Sequence, residues 1–103
     1  MHRFQRWRDI LQATPDEEAV GRAMRDYVAV LPPAVMSLLP EDCQRALFDP
    51  DIQGAAVTLL HCELAFTGDP ATAELLHEIA HTFAAASTRI TRLGREPLMP
   101  TAE

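Results

Sequence analysis

Apolar residues recur every three or four positions along almost the whole chain, and nowhere do they alternate with polar ones long enough to make a half-buried strand. That period leaves one kind of architecture, helices that each bury a stripe against the others. The fold expected is all-α: a small helical bundle of about five helices, two of them short, ending in a C-terminal antiparallel helical hairpin. Prolines and glycines cut the periodic stretches into elements.

A first helix over residues 3–12 places Phe4, Trp7, Ile10 and Leu11 on one stripe, with its arginines outside. Thr14, Pro15, Asp16 and Glu17 read as a threonine cap, a proline at the first helical position and a glutamate reaching back to the cap amide. The second helix therefore starts at Pro15 and runs to position 31, with Val20, Met24, Tyr27, Val28 and Leu31 inward and Glu18 paired to Arg22 on the surface. Pro32 and Pro33 end it, because proline drives the residue before it out of α geometry. Residues 33–39 and 40–48 each open with proline and read as two short pieces of a helical corner.

Asp49 and Pro50 then cap a helix over 50–66, apolar around most of its circumference and so expected at the centre. Thr67, Gly68, Asp69 and Pro70 turn the chain, with Gly68 as a left-handed helix end and Asp69 as the next cap. The last helix runs from 70 to 93 and stops at Gly94, with Arg89 and Arg92 near its negative end. At about 1.5 Å per residue it is about 36 Å long against about 25 Å for its partner, so Ile90 and Leu93 need cover from the amino-terminal helices or a second subunit. Residues 1–94 make one helical domain in this reading, and 95–103, "REPLMPTAE", a flexible tail.

With 103 residues, 48% apolar and 23% charged, the chain suits one domain with a core of its own. Its net charge is -6, and all nine basic residues are arginines, which removes lysine as base, Schiff-base former or phosphate-loop cation. Eight acids lie between positions 41 and 78 against Arg45 alone. A duplex would be repelled there, since nucleic-acid affinity rests on a basic face. The opening arginines are not followed by the roughly 7–15 apolar residues of a secretory signal, and no stretch reaches the roughly 18 of a membrane span. A soluble, cytoplasmic protein is expected, with neither nucleic acid nor membrane as partner. Cys43 and Cys62 lack CxxC spacing and read as buried thiols rather than a disulfide.

The stretch with most chemistry is "LLHEIAHTFAAA", residues 75–86. His77, Glu78 and His81 stand in H-E-x-x-H order and resemble the zinc hydrolases that carry it. There, residues four apart on a helix lie one turn above each other, so both imidazoles meet one metal while the glutamate serves a bound water. The resemblance implies zinc on His77 and His81 with Glu78 as general base. His61 is the further ligand within reach, because pairing through the Gly68 turn sets position 61 opposite 74–75. Glu74 or Glu78 would complete that set.

Rotational position points elsewhere. Leu76, Ile79, Ala80, Phe83, Ser87 and Ile90 form the inward stripe, and His77 and His81 fall on the opposite arc with Glu74 and Thr88, facing solvent. Where a metzincin continues with glycine and then histidine, this chain has Ala84 and Ser87. "HEIAHTF" also resembles the H-box of histidine-kinase dimerisation domains, which implies phosphorylation of His77. "AHTFAAAS" is similar to the histidine-phosphotransfer motif, which implies the same for His81. Ala84 and Ala85 stand where the phosphotransfer pattern has lysine and glycine, and His81 and Thr82 replace the H-box threonine and proline.

No Gly-x-Ser-x-Gly turn or glycine-rich phosphate loop is present. The default expectation is thus a non-enzymatic helical module without catalytic residue, cofactor or metal, which acts by binding protein and first of all itself, as a homodimer. Its acidic middle and arginine-rich ends can register two copies, although surface ion pairs set specificity more than affinity. Zinc on His77, His81 and His61 is the alternative.

Overall fold

Six helices form the computed structural model, which describes the backbone of residues 2–95 and the side chains from Arg6 onward. They are α1 His2–Ala13, α2 Glu17–Ala29, α3 Pro33–Met36, α4 Glu41–Leu47, α5 Ile52–Ala65 and α6 Pro70–Arg95. No strand occurs among the described residues. The chain is an all-α bundle. The side chain of Phe4 and positions 96–103 of the expected tail lie outside the described residues.

Short polar side chains start the main helices, though not always the ones the motifs nominate. α2 is capped by Asp16, whose Oδ1 accepts from the Ala19 amide at 2.8 Å, so Thr14 is not the cap and Pro15 lies outside the helix. Thr14 is buried instead, and its hydroxyl donates to the Leu11 carbonyl at 2.7 Å, closing the end of α1. α5 is capped by Asp51 in place of Asp49, with the Gly54 amide donating to Asp51 Oδ1 at 3.1 Å. Asp49 accepts from the Asp51 amide and so shapes the approach. Asp69 caps α6 as expected: the Thr72 amide and hydroxyl both donate to its Oδ2, at 2.9 and 2.7 Å. These bonds favour the ionised form, and the Asp69 carboxyl is held below its ordinary value of 3.8 by the Thr72 hydroxyl first and the Thr72 amide second.

The core runs along α6. Leu76, Ile79, Ala80 and Phe83 are at most 1% exposed, on the stripe read from the sequence, while Ser87 and Ile90 at its far end are half-buried. From α2 come Val20, Met24, Tyr27 and Val28, and from α1 Leu11. Three aromatic rings link these layers: Trp7 meets Tyr27 edge-on at 5.3 Å between centroids, and Tyr27 meets Phe83 at 6.4 Å. Such edge contacts add about 0.5–1.5 kcal/mol to the area buried. α1 and α2 both pack on α6 and cover its overhang, with Ile90 and Leu93 against the core. Arg89, expected to serve the helix dipole, ties α6 to the α1–α2 corner: its Nε and Nη2 donate to the Thr14 carbonyl at 3.1 and 2.6 Å.

Four sequence expectations are corrected here. α6 continues through Gly94 to Arg95. Gly68 does not adopt the left-handed conformation. Its missing side chain makes room for the Phe66 ring, whose nearest atom would lie 2.6 Å from a Cβ at position 68. α5 is not buried all round: Ile52, Ala55, Ala56 and Leu59 face the core, whereas Val57 is 54% and Leu64 84% exposed. Cys43 and Cys62 form a disulfide between α4 and α5, with Cα atoms 6.7 Å apart. Cysteine spacing alone could not show α4 folding back on α5. Disulfides persist in oxidising compartments, so the cysteines no longer argue for the cytoplasm. No described helix is long and apolar enough to cross a membrane.

Candidate metal centre

α5 and α6 run in opposite directions, because Gln53 Nε2 donates to Thr91 Oγ1 at 2.9 Å while Glu63, ten positions on, meets His77 and His81. The connection between them begins extended, with Phe66 at φ -71° and ψ 129°. α6 is thereby slid along α5 relative to a tight turn. Position 61 does not face 74–75, and the residue that α5 offers the histidines is Glu63.

His77 and His81 are one turn apart, and their rings stack with centroids 4.1 Å apart and planes inclined by 36°. Glu63 reaches across from α5 and touches both. Its Oε2 accepts from His77 Nδ1 in a short contact, and its Oε1 lies 3.3 Å from His81 Nε2. The Glu63 side chain is 23% exposed, His81 43% and His77 58%, so the trio sits in the seam of the hairpin with its outer side open to water. The helical wheel was right that the histidines avoid the core. It could not show a neighbouring helix supplying a carboxylate at their edge.

The three ligand atoms all lie within 4.8 Å of one another. Donors at about 2.1 Å from a tetrahedral ion are about 3.4 Å apart, so modest side-chain rotations bring this trio to metal geometry. Two neutral imidazoles and one carboxylate are a donor set that zinc and its neighbours accept, and three protein ligands leave a fourth position open.

The other residues nominated from sequence are not in the trio. His61 is exposed on the outer face of α5, two residues before Glu63. Glu74 is exposed, and Glu78 is half-buried, with its backbone carbonyl taken by the Thr82 hydroxyl at 2.8 Å. Glu63 was missed by motif reading, although it carries a signal: it is the only charged residue between Asp51 and Asp69. A lone carboxylate on an otherwise neutral helix has a reason to be sought. A cavity of about 560 Å³ opens between α2, α3 and the start of α5, but no residue of the trio lines it.

No family model, curated protein or solved structure matches this chain.

Proposed function

We propose that this protein is a non-enzymatic helical module whose working part is a divalent-metal site of the zinc class, made by Glu63, His77 and His81. The observation that carries this is the convergence of three donor atoms from two helices within 4.8 Å. Two imidazoles and a carboxylate combine borderline and hard donors suited to zinc, cobalt or iron(II). Glu78, the base of the hydrolase motif, is outside the trio, and no residue of the trio lines the cavity between α2, α3 and α5. Both features support holding an ion over hydrolysing a bond with it.

Calorimetric titration with zinc or cobalt tests the reading. Wild-type protein should take up one ion per chain, and Glu63→Gln, His77→Ala and His81→Ala should each lose that uptake while circular dichroism stays unchanged. Binding to the folded state should also raise Tm, since ligand at a hundredfold over Kd adds about 2.7 kcal/mol. Uptake that persists in Glu63→Gln, or no uptake by wild type at all, refutes the site.

A further inference from the structure

The trio supplies three ligands, and a closed tetrahedral site needs four. The nearest unused imidazole, His61, cannot turn inward to its own chain's ion, because it lies about 160° around α5 from Glu63 at 100° per residue. It stands on the outer face of α5, flanked by Val57 and Leu64, which are 54% and 84% exposed. In a protein of net charge -6, α5 carries Glu63 as its single charged residue. An uncharged strip carrying Val57, Leu64 and an unused imidazole, beside an ion site with a free position, offers both halves of a reciprocal contact.

The register of the hairpin lets the two meet. Gln53 pairs with Thr91 and Glu63 with His81, so the side chain of His61 is level with those of His81 to Phe83. A two-fold axis parallel to the helices and running between them lays α5 of one copy over α6 of the other without changing axial level. His61 of the second copy then arrives beside His81 of the first, and the reverse holds at the symmetry-related site. Size sets the condition. α5 is about 21 Å long and two packed helices are about 20 Å wide, so the face offers roughly 400 Å² per copy, below the usual range for a stable interface. The contact is too small alone and needs the ion.

We propose that two copies of this chain associate face to face through α5 and α6 when a divalent ion is bound, His61 of each copy filling the open position on the other's ion. This rests on the metal site proposed above and is separable from it by experiment. Sedimentation velocity of the full chain with chelator, and again with one equivalent of zinc, reads the mass, and equilibrium dialysis counts the ions. The expected result is a monomer of 11.4 kDa with chelator and twice that mass with zinc at one ion per chain. His61→Ala should still bind one ion per chain yet stay monomeric, and Leu64→Glu should do the same with every ligand intact. A zinc-loaded wild type that remains monomeric overturns the dimer and leaves the metal site standing. No bound zinc overturns the metal site itself. A dimer that persists in chelator, or in His61→Ala, overturns the bridging role of His61.

Discussion

Arg89→Met removes the two donors that α6 sends to the Thr14 carbonyl, at 3.1 and 2.6 Å, and keeps an aliphatic stem of similar reach. Hydrogen bonds to a charged group contribute about 1.5–3 kcal/mol. The two share one acceptor and are only part-buried, so they count once and toward the lower end, at about 1.5–2 kcal/mol. In a domain of this size 1 kcal/mol moves Tm by roughly 4–8 °C, which gives a fall of about 6–16 °C. Far-UV circular dichroism melts near neutral pH measure it. Arg92→Met is the control, because Arg92 is exposed, and exposed substitutions usually stay within about 0.5 kcal/mol. A fall in Arg89→Met of less than about 2 °C, or an equal fall in Arg92→Met, refutes the idea that this contact locks α6 to the α1–α2 corner.

Two further outcomes follow from bonds near the hairpin. Reducing Cys43–Cys62, which spans a sequence separation of 19, should cost about 3 kcal/mol of loop-closure entropy and lower the urea midpoint; an identical midpoint with and without reductant counts against it. Asp69 has a folded pKa below its ordinary value of 3.8, chiefly through the Thr72 hydroxyl, so its contribution is complete above that value and is lost as pH falls through the lower folded one. The stability gap between wild type and Asp69→Asn should therefore narrow on acidification below about pH 4, and a gap that stays constant there removes the claim.

Element existence was legible in the sequence because proline, glycine and the 3.6-residue period act locally, and each expected helix has a counterpart. Caps were less so. Thr14 and Asp16 compete for one helix start, and burial of Thr14 beneath Arg89, a contact 75 residues away in sequence, decides between them. That His77 and His81 lie off the core-facing stripe could be read from α6 alone. Their partner could not, since the offset of α6 along α5 depends on the connection over residues 66–69, and the observed register sets position 61 level with 81–83 where a tight turn sets it opposite 74–75. The disulfide escaped for the same reason. Cys43 and Cys62 are brought together by packing of α4 on α5, which no spacing motif encodes.

The Phe66 ring folds over Gly68 in the connection between α5 and α6. A methyl at position 68 would lie 2.6 Å from that ring, and the ring would have to swing out. The connection between α5 and α6 is thus a place where the spacing of Glu63 from His77 and His81 can be changed with all three residues kept.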